Sequence, residues 1–470
     1  MVFSTHVFLF LFLPLFLAVY YLIPFRFRTP LILVGSYLFY GWWRFDFLLL
    51  FFAVTFLSFL AGKGIENAET KTGEKRALTV GIIGNLAILG YFKYFNFGVD
   101  SMNGLFAGIG LPTLNAWNVI LPIGLSFYIF HAISYLVDIY RRDGPAASFW
   151  RLSAYIALFP QLVAGPVLRY KDVVYQFAAR THTFDKFSEG ALRFMVGFCK
   201  KVLIADGVAS IADRAFSSAA PSAADAWLGA LAYTVQLYFD FSGYSDMAVG
   251  LGLMMGFRFM ENFNHPYISR SVTEFWTRWH ISLSSWLRDY LYIPLGGNRK
   301  GAGRTYVNLM LVMLLGGLWH GANWTFVVWG AWHGGFLALE RFLGSRKLWR
   351  PVPAYLSVPK TMFVVVLGWV LFRAASVGEA WGVVQGMFGA HGWAMTEGFA
   401  WALTGLELTT LLVSFAVIYL APWWRAFLWR QPAGRAGRLE AAHLFILPLF
   451  ALGVFRLSAQ SFSPFLYFQF

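Results

Sequence analysis

A chain of 470 residues that is 58% hydrophobic, 20% aromatic and only 13% charged lies far from soluble domains, in which roughly a quarter of the residues carry charge. The composition excludes a soluble globular enzyme and predicts an all-α polytopic membrane protein, because a helix satisfies its own backbone polar groups in lipid. A net charge of +14 is dispersed over short loops, at Arg26 and Arg28, Lys75 and Arg76, Arg141 and Arg142, Arg299 with Lys300 and Arg304, Arg346 with Lys347 and Arg350, and Arg425 to Arg438. That pattern fits the positive-inside rule and argues against a nucleic-acid partner.

In chain order, apolar windows open near residues 7–23, 31–43, 47–61, 77–92, 119–137, 154–167, 191–204, 227–239 and 247–260, then across 308–340, and again at 361–372, 408–422 and 441–454. A full crossing needs roughly 20 residues, so these predict about ten to twelve helices, with the shorter windows re-entrant, interfacial or tilted. Pro160 with Gly165, and Gly243 with Gly250, are the expected breaks. The first window has no basic stretch before it and no A-x-A site, so it reads as a retained helix. Arg26 and Arg28 follow it directly, which places the N-terminus outside the cytoplasm. No polar linker or repeat divides the chain, so the expectation is one membrane domain over residues 1–470. The single cysteine, Cys199, excludes an intrachain disulfide and reads as a small apolar packing residue.

Residues 273–292, TEFWTRWHISLSSWLRDYLY, place Trp276, Trp279, Leu283, Trp286, Leu287 and Tyr290 at helical spacing. Arg278, Arg288 and Asp289 lie among the polar positions, with Arg288 and Asp289 candidate substrate contacts. This predicts one Trp-rich amphipathic helix at the interface, with His280 on its apolar edge; an incidental histidine on an aromatic anchor is the plainer alternative. A glycine-rich basic loop follows at 294–304, whose backbone N–H groups and cations (Arg299, Lys300, Arg304) suit an anionic cofactor. Any positively charged cytoplasmic loop would have the same composition.

The run 309–337 contains no Lys, Arg, Asp or Glu, and its ionisable side chains are His320 and His333. A titratable group in the middle of such a run is expensive and marks a functional site by default, with Trp319 and Asn323 as its neighbours. The plainer alternative is a histidine bonded to a neighbouring helix. His320 and His333 would lie about 20 Å apart on a continuous helix and cannot share a centre unless that helix breaks. His280 and His320 form the better pair, because the glycine-rich loop can return the chain.

The nine histidines show no H-E-x-x-H or Cys/His spacing, so no metal site is expected. A nucleophile elbow and a P-loop are also missing. What remains is a histidine able to take a proton from a hydroxyl as it attacks an acyl group. Asp240 and Asp246, in YFDFSGYSDMAVGLG, either orient a histidine or an acceptor hydroxyl or cap a helix break at Gly243.

The block from Tyr238 to His333, YFDFSGYSDMAVGLGLMMGFRFMENFNHPYISRSVTEFWTRWHISLSSWLRDYLYIPLGGNRKG followed by MLLGGLWHGANWTFVVWGAWH, closely resembles the membrane-bound O-acyltransferase family. The likeness extends to MVFSTHVFLFLFLPLFL, ILGYFKYFNFGVDS, LPIGLSFYIFHAISYLVDIYRRD and LSAQSFSPFLYFQF, and so covers essentially the whole chain, with residues 238–340 as its core. The resemblance implies that His320 is the catalytic residue and His280 the second site position. It implies a central tunnel in which an acyl donor from the cytoplasmic side meets an acceptor from the other side. It further implies periplasmic acetyl-handling partners and an inner-membrane location.

The combined expectation is an inner-membrane O-acyltransferase that holds no permanent cofactor. It would take acetyl from acetyl-CoA for O-acetylation of exported alginate, or of cellulose, peptidoglycan or teichoic acid. Trp319, Asn323, Asp240, Asp246, Arg288 and Asp289 are its candidate substrate contacts, and Arg299, Lys300 and Arg304 its candidate donor contacts. A transporter or flippase relaying protons through buried His and Asp is the rival from another class. The hydropathy shows no inverted repeat to support it.

Overall fold

Residues 1–346, 352–429, 435–459 and 465–466 are described by the computed structural model. Among them every regular element is a helix, and they form two compact units, residues 1–191 with 248–260 and residues 192–247 with 261–470. Of the loop cations, Lys347, Arg350 and Arg430 lie outside the described residues, as does most of the closing LSAQSFSPFLYFQF.

The first unit opens with a π-helical stretch, Val7–Phe12, that continues into α1 (Leu13–Leu22) and is followed by α2 (Phe25–Gly41), α3 (Phe47–Glu66) and the 38-residue α4 (Lys71–Gly108). Then come α5 (Leu125–Arg141), α6 (Phe149–Ala157), α7 (Phe159–Leu162), α8 (Tyr170–Ala178) and the start of α9 (Phe184–Cys199), whose residues from Leu192 on belong to the second unit. Small residues let α3, α4 and α5 approach closely. A Cβ on Gly62 would lie 2.5 Å from the Tyr135 hydroxyl, and one on Gly81 2.7 Å from both Ala61 and Leu136. The expected interruption at Pro160 and Gly165 is present, since α7 ends at Leu162 and residues 163–168 run buried without helical structure.

The second unit holds α10 (Asp206–Ser217), most of α11 (Ala223–Met254), α12 (Val272–Arg278), α13 (Ile281–Leu287), α14 (Ala302–His320) and α15 (Trp324–Ser345). It is completed by α16 (Ala354–Arg373), α17 (Val377–Met387), α18 (Glu397–Ala402), α19 (Gly405–Trp429) and α20 (Arg435–Ala459). Helices long and apolar enough to cross a bilayer are α3, α4, α16 and the Gly405–Pro422 part of α19, with Val7–Leu22 and Leu444–Ala459 shorter. The other apolar windows form helices that are shorter or less apolar, or, as at residues 159–168, interrupted segments.

Three local expectations need correction. First, α11 runs unbroken through Gly243, so neither Asp240 nor Asp246 caps a break there. Gly243 instead permits contact with α9: its Cβ would meet the Gly197 carbonyl at 2.7 Å, and a Cβ on Gly197 would meet the Gly243 carbonyl at 2.4 Å. Second, residues 273–292 are not one helix. The chain turns at His280, whose backbone is left-handed (φ 45°, ψ 53°), and a π-helical turn, Arg288–Tyr292, follows α13. The cause is Asn262, whose backbone carbonyl takes the Ile281 N–H at 3.0 Å and whose side-chain oxygen takes that of Ser282 at 3.2 Å, drawing the first donors of α13 away from α12. Third, the run 308–340 is a helical hairpin. Asn323 caps α15 by accepting from Thr325 N at 3.1 Å. Glycines close the pair, since a Cβ on Gly317 would lie 2.2 Å from the Phe326 carbonyl and one on Gly330 2.5 Å from that of Met313.

Candidate active site

His320 is the last residue of α14 and His280 the turn residue between α12 and α13. The two rings lie 6.4 Å apart between centroids, both buried. The pairing anticipated across the glycine-rich loop is therefore present. His320 is boxed by aromatic rings, with Trp319 at 5.0 Å, Trp329 at 5.2 Å and Phe372 at 5.2 Å. His280 meets the Phe241 ring edge-on at 4.6 Å. His333 reaches the same cluster from the other side of Trp329, at 5.0 Å, and packs on Trp276 at 5.3 Å. The break at Gly321 brings it near, but Trp329 stands between it and His320.

Hydrogen bonding fixes the tautomer of His280. The Ser282 backbone N–H can only donate, so the Asn262 atom facing it at 3.2 Å is the carbonyl oxygen Oδ1. Ser282 Oγ donates to the same oxygen at 2.8 Å, and Asn262 Nδ2 donates to Ser245 Oγ at 3.0 Å. An oxygen can only accept, so His280 Nδ1, 3.1 Å away, carries the proton. Nε2 is then the lone-pair nitrogen, and it is buried with no hydrogen-bond partner among the described residues. A buried, unpartnered acceptor is costly and suits a donor that arrives with a ligand. The pair lies buried among aromatic rings, where water is scarce and each polar contact counts for more.

The other anticipated residues are distributed more widely. Trp319 is among these rings, 6.0 Å from His280. Asn323 caps α15 and donates through Nδ2 to the Ala375 carbonyl at 2.9 Å. Asp240 is engaged by Lys201 Nζ at 2.7 Å and by the Leu466 N–H at 2.9 Å, with Asp206 sharing the same ammonium at 2.7 Å. Asp246 takes Lys200 at 2.6 Å and Arg193 at 2.9 Å. The consecutive lysines lie at the start of a π-helical stretch, Lys200–Ala205, and, like any neighbours on a helix, point in different directions, to different carboxylates. Arg288 pairs with Asp289 at 2.7 Å, Arg288 being largely exposed. Arg299, Lys300 and Arg304 are exposed on the glycine-rich loop, which is pinned where buried Asn308 donates to the Gly297 carbonyl at 2.8 Å.

Asn262, Ser245, Ser282, Trp329, Phe372 and Lys201 were not anticipated. The signal for Asn262 was its position in MENFNHP, within the motif block. Only the fold reveals that its amide faces a histidine 18 residues on.

The sequence profile of the membrane-bound O-acyltransferase family matches residues 71–352. Over the full length of both chains, the protein is 52% identical to the "Probable alginate O-acetylase AlgI" of Azotobacter vinelandii and 53% identical to that of Pseudomonas putida. It is also 36% identical to the peptidoglycan O-acetyltransferase of Helicobacter pylori, over 83% of this chain and 80% of the relative.

Proposed function

The chain belongs to the membrane-bound O-acyltransferase family and is a multi-pass membrane O-acyltransferase, and we propose that it takes acetyl from cytoplasmic acetyl-CoA and passes it across the inner membrane for O-acetylation of exported alginate. His320 is the general base. It accepts the proton of the acceptor hydroxyl as the oxygen attacks the acyl carbonyl, and the bond to the donor's leaving group breaks as the new ester forms. His280 Nε2, a lone-pair nitrogen, accepts from a second hydroxyl of the acceptor and so orients it, leaving the reacting O–H to His320; with its proton on Nδ1, Nε2 has none with which to polarise the carbonyl. The observation that carries the reading is the convergence of two buried histidines among aromatic rings, one with its tautomer set by Asn262. Exclusion of water there protects an activated acyl group from hydrolysis.

The exposed cations Arg299, Lys300 and Arg304 hold the phosphates of the donor, and periplasmic acetyl-handling proteins complete delivery to the polymer. Full-length identity near one half to alginate O-acetylases supports alginate as the final acceptor. The peptidoglycan-acetylating relative makes another exported polymer the second reading.

Inverted inner-membrane vesicles supplied with labelled acetyl-CoA test the donor assignment. Label should enter the protein or its acceptor in wild type. Reversing Arg299, Lys300 and Arg304 to glutamate should raise the donor KM by about tenfold at unchanged kcat, since three exposed charges contribute a few tenths of a kcal/mol or more each. A KM equal to wild type removes the loop from donor binding, and failure of acetyl-CoA to label at all removes the donor.

Asn262 is a positioning residue in this scheme. Asn262→Leu is expected to lower kcat by roughly 10²-fold, the smaller end of what one acid–base group contributes, with donor KM unmoved. Asn262→Asp, which keeps an accepting oxygen on Nδ1–H, should recover most of that loss. Equal loss in both variants would reduce Asn262 to a purely structural residue.

A further inference from the structure

Within the first unit, the turn between α1 and α2, the loop 179–183 and the segment 256–258 enclose a cleft of about 690 Å³, lined among others by Phe25, Gln176, Arg180, Lys186 and Arg258. Arg28 adjoins it, its guanidinium 4.9 Å from the Tyr20 ring, while that of Arg180 stacks on Phe25 at 5.1 Å and Phe257 at 4.4 Å. The partners of these cations are neutral. Arg180 Nε donates to Tyr20 Oη at 3.1 Å and to the Met255 carbonyl at 3.2 Å. Lys186 Nζ donates to Thr181 Oγ1 at 2.8 Å and to the Gly256 carbonyl at 3.3 Å. Glu189 acts on Lys186 only as a nearby charge. Arg28 Nε and Arg180 Nη2 are buried atoms with no hydrogen-bond partner among the described residues.

Like charges gathered with only Glu189 as a nearby counter-charge repel one another, and two of their buried donors remain unsatisfied. The field is visible at His182, whose imidazole is pushed down to about 4, first by burial and then by Arg28 and Arg180. The cleft thus requires an anion rich in acceptor oxygens. Its surroundings define the rest of the ligand. Leu22 and Phe184 are 84% and 83% exposed, and Phe27 is also exposed. Large apolar side chains left open beside a cationic hollow match a molecule with a charged head and hydrocarbon chains.

We propose that this cleft binds the phosphate headgroup of an anionic phospholipid, with its acyl chains lying over Leu22, Phe27 and Phe184. The phosphate accepts from Arg28 Nε and Arg180 Nη2 and is balanced by Lys186 and Arg258, as expected for basic pockets facing lipid headgroups. A zwitterionic lipid brings its own cation and gains less.

The test is native mass spectrometry of the full chain, released from nanodiscs of phosphatidylglycerol or of phosphatidylcholine. Retained phosphatidylglycerol is expected from wild type, with phosphatidylcholine lost. Lys186→Gln with Arg258→Gln should reduce retention roughly 25-fold, at about fivefold per cation near a headgroup. Arg258→Gln alone, at an exposed side chain, should reduce it roughly fivefold and serves if the double variant unfolds in a melting assay. Equal retention of the two lipids, or unchanged retention in the variants, overturns the proposal. Displacement of the lipid by millimolar inorganic phosphate or by coenzyme A would also overturn it, assigning the cleft to a free phosphate instead.

Discussion

Cells carrying His320→Ala are expected to export polymer at normal yield but with its O-acetyl content reduced by about 10² to 10⁴-fold, the range a positioned acid–base group supplies. The ring sits among Trp319, Trp329 and Phe372, so truncation to alanine also leaves a void. Membrane abundance must therefore be matched between strains. His320→Gln serves as the companion variant, since it fills most of the same space without an imidazole's basicity. If both lose acetylation, the missing function is chemical. Normal acetylation in His320→Gln, with loss only in His320→Ala, would make the histidine a packing residue. Loss of the polymer itself would shift weight to transport or assembly.

A comparably large effect, on stability, is expected from Lys201→Met. Its ammonium is almost fully buried between Asp240 and Asp206, at 2.7 Å from each. Removing one partner of a buried ion pair typically costs about 3–5 kcal/mol, because the remaining charge is stranded away from water. The variant should show a clearly lowered melting midpoint in detergent. Lys201→Met with Asp240→Asn should recover part of it, since one of the two stranded carboxylates is then gone, and with Asp240→Asn alone the cycle gives the coupling. A Lys201→Met protein that melts with wild type would show that the cluster carries no net stability.

Asp240 also illustrates what the sequence could and could not disclose. An aspartate in an apolar stretch signals a partner, but nothing in YFDFSGYSDM says whether that partner is a substrate or a lysine 39 positions earlier. The outcome was set by which face of the Lys200–Ala205 helix packs on α11, burying Lys201 against Asp240, and local sequence does not show that packing. His320 was legible because an uncharged run made any ionisable residue conspicuous. Its neighbour His280 was legible through its motif, although its surroundings were expected to be a single helix. The actual break comes from a distant asparagine that captures the first N–H groups of α13, and amphipathic spacing carries no trace of such a competitor. Helical class followed from composition alone. Which apolar windows run straight and which are interrupted depended on glycines whose role, contact or break, is decided by what lies opposite them.

The left-handed backbone at residue 280 has a practical side. Histidine tolerates φ 45° less readily than glycine does, so selection for thermal robustness at this position would pull away from imidazole. If His280 acts as proposed, heat tolerance and turnover are opposed objectives there, and a screen that ranks variants by melting alone would promote proteins with a more relaxed turn and no imidazole at this position.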